Sequence, residues 1–178
     1  MDTIRIHDKT FNPYISEEAI RGKVHEIAAA LNRDYRDKNP IFIAILNGAF
    51  IFAADLFKSL SIDAEISFIK LASYKGMKSS GHVISVIGLD IEIFNRHLVI
   101  LEDIVDTGKT LHEFLPQLWH NQPASIRIAA LLHKPAAKEF QVNVDYTGFE
   151  IPDKFVVGYG LDYNGLGRNT AAIYQLFE

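Results

Sequence analysis

Glu102, Asp103, Asp106, Thr107, Gly108, Lys109 and Thr110 fall within one short stretch, Val99-Ile100-Leu101-Glu102-Asp103-Ile104-Val105-Asp106-Thr107-Gly108-Lys109-Thr110-Leu111. Such a set suits a ligand that offers hydroxyls and a cation together with a phosphate. Glu102 and Asp103 can accept hydrogen bonds from sugar hydroxyls. They can also support a hard cation such as Mg²⁺, which prefers oxygen ligands and keeps much of its water. From Asp106 to Thr110, consecutive backbone N–H groups and the Thr107 and Thr110 hydroxyls can cradle a phosphate at a helix N-terminus. Asp106, between the two subsites, is placed to take a proton. The nearest look-alike, a Walker A loop, needs Gly-x-x-x-x-Gly-Lys-[Ser/Thr]. Gly108-Lys109-Thr110 supplies its end, but Asp103 stands where the first glycine belongs, and an NTPase loop does not set two carboxylates against its phosphates. Taken alone, Asp106-Thr107-Gly108 would be an ordinary helix cap with the upstream acids facing water. The order of all these elements is what departs from that.

The flanking elements must hold these groups in place. Leu98 to Leu101 is an apolar run ending at the acids and reads as a buried parallel strand. A helical pattern follows from about Lys109 to Trp119. Upstream, Ser16-Glu17-Glu18 opens a helix with a cap and acids in its first turn, and Ile20, Val24, Ile27, Ala28 and Leu31 keep helical spacing. Asn39-Pro40 stops it and leads into a strand, Ile41 to Leu46. Asn47-Gly48 then turns the chain into a helical pattern from Phe50 to Leu60. Ile66 to Leu71 and His82 to Ile87 read as strands flanking a polar loop, and Ser125 to Leu132 as another strand. This alternation predicts an α/β fold with a parallel sheet and helices on its faces. Ligands in such sheets sit beyond the carboxyl ends of the strands. Leu46-Asn47-Gly48, Glu102 to Thr110 and His133-Lys134 all fall at such ends, so they are expected to line one crevice.

With 178 residues and 48% hydrophobic content, residues 1–178 are expected to form a single domain with a full core. The absence of cysteine excludes disulfides and thiolate metal sites. No apolar segment has transmembrane length and Met1-Asp2-Thr3-Ile4-Arg5 has no signal-peptide pattern, so a cytoplasmic protein without a membrane partner is expected. A formal net charge of −4 argues against nucleic acid as a partner. An anionic substrate must then be met by local lysines, backbone dipoles and Mg²⁺. The seven histidines are scattered without paired ligand spacing.

The Glu102–Thr110 stretch resembles the phosphoribosyl-pyrophosphate (PRPP) motif of the type I phosphoribosyltransferases. A second segment runs Gly148-Phe149-Glu150-Ile151-Pro152-Asp153-Lys154-Phe155-Val156-Val157-Gly158-Tyr159-Gly160-Leu161-Asp162-Tyr163-Asn164. With it, the chain from roughly Ile41 to Arg168 closely resembles the hypoxanthine-guanine phosphoribosyltransferases. The resemblance implies a mostly parallel central sheet with flanking helices, a core of about 16–135, and a small hood built from the N-terminal segment and about 136–178. It also implies Mg²⁺-dependent transfer of a 5-phosphoribosyl group from PRPP to N9 of a 6-oxopurine, yielding a nucleotide and pyrophosphate, by a homodimer or homotetramer.

Site roles follow from the same resemblance. Glu102 and Asp103 would hold the ribose and a metal, and Asp106 would accept the N7 proton. Thr107, Gly108, Lys109 and Thr110 would bind the 5′-phosphate of PRPP. Lys134 would donate to the purine 6-oxo group, Phe155 would stack on the base and the Val156 backbone would read its edge. Asp162, counted with the purine-binding residues, would help hold a second Mg²⁺ near the pyrophosphate, and Arg168 would reach that pyrophosphate. Ser73 and Tyr74, in the glycine-punctuated loop to Gly81, match a mobile lid closing over pyrophosphate, which would shield a cationic ribose centre from water. Asn47 and Gly48 match the pyrophosphate loop, where the family commonly has a non-proline cis peptide. Many relatives carry lysine at the Asn47 position, so a side-chain charge there is missing.

Two other classes compete. An RNA-binding regulator on the same fold would need a basic face, and no cluster of lysines and arginines supplies one. A phosphotransfer receiver domain also places acids and a lysine at strand ends. It would not explain Gly108-Lys109-Thr110 or the segment around Phe155.

Overall fold

The computed structural model describes residues 2–73 and 83–177. The chain opens with a hairpin of β1 (Ile4–Ile6) and β2 (Lys9–Ile15), followed by α1 (Glu17–Asp34). Ser16 caps α1 as expected, its side chain accepting from the Ala19 N–H at 3.2 Å. The buried face of α1 is Ile20, Val24, Ile27, Ala28 and Leu31, the same residues that the helical spacing singles out. Next come β3 (Ile41–Leu46), α2 (Phe50–Lys58), β4 (Glu65–Ser73), β5 (Val83–Ile87), β6 (His97–Val105) and α3 (Lys109–Trp119). β7 (Ser125–His133), β8 (Tyr146–Glu150), β9 (Val156–Val157) and β10 (Ile173–Leu176) complete the chain.

Two sheets result. The larger has the order β5-β4-β3-β6-β7-β8, parallel throughout except for β5 against β4. The smaller is antiparallel, β1-β2-β10-β9, and joins the two ends of the chain. This is the mostly parallel α/β sheet with a hood of chain ends that the resemblance implies. β8 belongs to the large sheet, and the antiparallel sheet takes its C-terminal strands from Val156 onward.

Alternation along the central strands explains why they are apolar throughout. Phe42, Ala44, Val99 and Leu101 pack on one face with α1 and α2, through residues such as Ile20, Leu31, Phe52 and Leu56. Ile41, Ile43, Leu98 and Ile100 pack on the other face with Leu111, Phe114 and Leu118 of α3. Both faces of β3 and β6 are therefore covered, as a parallel sheet requires.

Several boundaries differ from the sequence expectation: β4 spans Glu65–Ser73 rather than Ile66 to Leu71, and β7 reaches His133 rather than Leu132. α2 stops at Lys58, because Ser59 turns its N–H back to the Leu56 and Phe57 carbonyls. Leu60 still packs on the core from outside the helix. β6 continues past Leu101 to Val105, because pairing with β7 carries on through Glu102↔Ala130, Ile104↔Leu132 and Val105↔His133. Glu102 and Asp103 therefore lie on the strand itself, where neighbouring side chains leave on opposite faces. His82, expected in the strand now seen as β5, lies outside the described residues.

Candidate active site

The carboxyl ends of β3, β6 and β7 converge as expected, and the loop after β6 shapes the first subsite. Gly108 adopts φ +82°, a left-handed conformation that favours glycine, and starts α3. Glu139 and Phe140 both donate their N–H groups to the Thr107 carbonyl at 3.0 Å, which pins the loop from outside. The Thr107 hydroxyl accepts from the Lys109 N–H at 3.3 Å. Glu102 and the loop from Ile104 to Leu111 enclose a cavity of about 80 Å³. Lys109 and Thr110 are exposed at its rim.

The adjacent acids face different neighbours. Glu102 lines this cavity, and its Oε2 is buried without a partner among the described residues. Burial, reinforced by the charge of Asp103, pushes its carboxyl well above the usual carboxylate range. Asp103 faces the turn after β3. Its Oδ1 accepts from the Ile104 N–H at 2.9 Å. Burial pushes its pKa up to about 6, against the pull of backbone N–H groups and Arg168 and with a push from Asp162.

The turn after β3 contains a cis peptide between Leu46 and Asn47, and the Asn47 side chain is exposed. Gly48 has no room for a side chain: a Cβ there would overlap the Asp103 carboxylate. Gly160, at φ +101°, lies against the far side of the same turn, where a Cβ would overlap the Gly48 carbonyl oxygen. Arg168 Nη1 donates to the Gly160 carbonyl at 2.6 Å, and Nη2 pairs with Asp162 Oδ1 at 2.6 Å. The other oxygen of Asp162 accepts from the Gly165 N–H at 2.7 Å. The tail segment and the turn after β3 thus meet through backbone-to-backbone contact.

Lys134 defines the third subsite. Its side chain is 7% exposed, and Nζ lies 3.2 Å from Asp106 Oδ2 and 3.1 Å from Asp153 Oδ1. A buried ammonium needs such counter-charges. The Lys134 N–H donates to the Val105 carbonyl at 2.9 Å, which stitches the ends of β6 and β7 together. Phe155 is 46% exposed and is backed by Tyr163 and Phe11, with ring centroids at 5.8 and 6.3 Å. Val156 stands opposite Gln175, beside the pair closed by the Leu176 N–H donating to the Phe155 carbonyl. In that register its own N–H and C=O point away from β10, on the edge of the small sheet. Ser73 ends β4, with its backbone opposite Val83, whereas Tyr74 and the rest of the loop through Gly81 lie outside the described residues.

Both the sequence and the fold are similar to those of known proteins. Residues 15–164 match the model of the phosphoribosyl transferase domain. A hypoxanthine phosphoribosyltransferase of Buchnera aphidicola subsp. Schizaphis graminum is 43% identical over 157 residues, covering 86% of this chain and 89% of the relative. The hypoxanthine-guanine phosphoribosyltransferase of Bacillus subtilis is 42% identical over 160 residues, with 89% of each chain covered. The chain belongs to the hypoxanthine phosphoribosyltransferase branch of the phosphoribosyl transferase family. A solved hypoxanthine phosphoribosyltransferase from Staphylococcus aureus superposes with a TM-score of 0.89 at 36% identity, covering 93% of this chain and 91% of that one.

Within this phosphoribosyltransferase, sequence reasoning passed over three groups that the structure brings to the site. Asp153 is bonded to Lys134, Gly160 packs on Gly48, and Tyr163 with Phe11 backs Phe155. The signal for Asp153 was present: a lysine expected at a buried strand end requires a carboxylate, and Pro152-Asp153-Lys154 sits in the quoted segment. The contacts of Gly160 with Gly48 and of Phe11 with Phe155 are long-range and leave no local trace.

Gly48→Ala is expected to lower kcat/KM for PRPP by about 10²-fold or more, because Asp103 or the turn must shift by roughly 1 Å to admit the methyl group. Gly22→Ala is the control, since a Cβ on Gly22 meets nothing and helix α1 tolerates alanine better than glycine. Steady-state rates of the two variants side by side check this.

The buried acids also make the site costly to the fold. Asp103 holds its proton more tightly in the folded chain than in the unfolded one, so stability falls as pH rises from 3.8 to about 6 and stays lower above. Asp103→Asn is therefore expected to raise the Tm of the ligand-free protein at pH 8 and to give no gain near pH 3.5. The gain is on the order of 1–3 kcal/mol. Thermal unfolding of both proteins across that pH range measures it.

Proposed function

We propose that the chain transfers a 5-phosphoribosyl group from PRPP to N9 of a 6-oxopurine, hypoxanthine or guanine, forming IMP or GMP and pyrophosphate. The observation that carries this reading is the buried Lys134 side chain beside Asp106, with a partly exposed aromatic ring, Phe155, two residues along the chain from Asp153, the second carboxylate on Lys134. Lys134 is a donor for a 6-oxo group, and Asp106 is an acceptor for the N7 proton of the same ring. Phe155 offers its face to the base, and Val156 presents an N–H and a C=O to its edge.

The 5′-phosphate belongs in the cavity bounded by Thr107, Gly108, Lys109 and Thr110, at the N-terminus of α3. Glu102 and Asp103 take the ribose hydroxyls. Arg168 and the backbone at Asn47-Gly48 face the leaving pyrophosphate, a preorganised electrostatic arrangement. The donor set suits Mg²⁺: the oxygens are hard, and Glu102 Oε2 has no protein partner among the described residues. Among those residues no three acidic or histidine side chains cluster tightly enough to hold a metal alone. Glu102 and Asp103 would therefore meet one ion, and Asp162 a second, largely through water and phosphate oxygens, the usual Mg²⁺ habit. When bound, it supplies positive charge to the departing pyrophosphate.

No helix among the described residues is long and apolar enough to cross a membrane. A cytoplasmic homodimer or homotetramer belongs to the same reading, and sedimentation velocity tests the assembly. The decisive assay combines the purified chain, PRPP and Mg²⁺ with hypoxanthine, guanine, xanthine and adenine in turn. Turnover of hypoxanthine or guanine is expected. Salt-dependent RNA binding with no purine turnover would overturn the reading in favour of a regulator.

A further inference from the structure

Lys134 has three N–H donors and is held by two carboxylates, of which only Asp106 has a part in the proposed chemistry. Resting on that chemistry, the geometry points to Asp153 as a positioning residue for recognition of purine position 6: it holds the Lys134 ammonium while Asp106 is occupied by the base. Asp106 is one counter-charge for Lys134. Once a purine binds, the Asp106 carboxylate must also accept from N7–H. An ammonium this deeply buried, left with no committed carboxylate, would follow Asp106 or lose its aim. Asp153 supplies a counter-charge with no second duty. Two of the three donors are then spoken for in the resting site, and the third is left to meet the 6-oxo oxygen.

The location of Asp153 adds a second link. It lies in the turn Pro152-Asp153-Lys154, two residues before Phe155. The Ile151 N–H donates to the His133 carbonyl at 2.9 Å, so the segment is anchored to the end of β7 immediately beside Lys134. The Asp153–Lys134 bond closes this short loop from the side-chain direction. The group that reads position 6 and the ring that stacks on the base are thereby set at a fixed separation. A solvent-facing ion pair would contribute little. Asp153 is itself 68% exposed, but its partner is 7% exposed, and that buried end gives the contact its leverage.

The test is binding of IMP and of PRPP, each measured by calorimetry, to the parent, D153N, D153E and the pair K134M and K134M/D153N. D153N is expected to weaken IMP binding by about tenfold to a hundredfold, the worth of one hydrogen bond to a charged group. PRPP affinity is expected to stay within about threefold, and D153E to recover most of the IMP loss, since a single charge-mediated contact is restored. On the K134M background, D153N is expected to add nothing, because the effect runs through Lys134. An unchanged IMP affinity in D153N overturns the proposal. So does an equal loss on the K134M background, or a parallel loss of PRPP affinity, which would mark a fold defect. Failure of the parent itself to make IMP from hypoxanthine would instead strike the proposed function.

Discussion

Asp106→Asn is expected to slow nucleotide formation by about 10²–10⁴-fold, the usual span for a general acid–base group. PRPP affinity is expected to stay close to the parent value. Asp106 follows directly on β6, beside the phosphate-loop cavity and 3.2 Å from Lys134 Nζ. Asparagine keeps the shape and one acceptor for Lys134 but cannot take up a full proton. The substitution therefore separates placement from chemistry. Single-turnover rates measured with PRPP and hypoxanthine at saturation decide the matter. Rates near those of the parent would remove Asp106 from the proton transfer.

The second large effect is selectivity at position 6. Adenine is expected to be a poorer substrate than hypoxanthine by a factor on the order of 10⁴, the cost of a buried polar mismatch when fully enforced. Lys134 carries donors only, and the adenine amino group would oppose them with donors of its own. Asp106 and Asp153 both accept from Lys134 Nζ, which keeps its donors aimed into the site. Lys134→Gln adds an amide oxygen at this point and is expected to narrow the gap, mostly by losing hypoxanthine turnover. The ratio of kcat/KM values for the two bases, in both proteins, is the measurement. Comparable ratios before and after the change would show that another group reads position 6.

Local signals in the chain were enough for much of the scaffold. Ser16 caps α1, Ile41–Leu46 is β3 and Lys109–Trp119 is α3, each as the sequence pattern predicts. These elements are long and periodic, and their ends carry capping or turn residues, so the signal lies within one stretch of chain. The hood did not share that legibility. β9 is two residues long, and no period can be read from Val156-Val157. It exists because β10 pairs with it on one side and with β2, from the opposite end of the chain, on the other.

The candidate site divides in the same way. Types and spacing of residues singled out the candidates: carboxylates before a glycine-containing loop, a lysine at the end of β7 and an aromatic in the tail segment. Tertiary structure decided how that chemistry is distributed. Extension of β6 to Val105 sends Glu102 toward the phosphate loop and Asp103 toward Gly48, a split that depends on the ladder with β7. Gly160 reaches Gly48, and Asp153 reaches Lys134, only after the tail folds back over the ends of the parallel strands. Close backbone approach and the pairing of a buried charge are properties of surfaces brought together by folding. A linear pattern records which residue is present and how far along the chain it lies, but carries neither the contact nor the burial that gives the contact its energy.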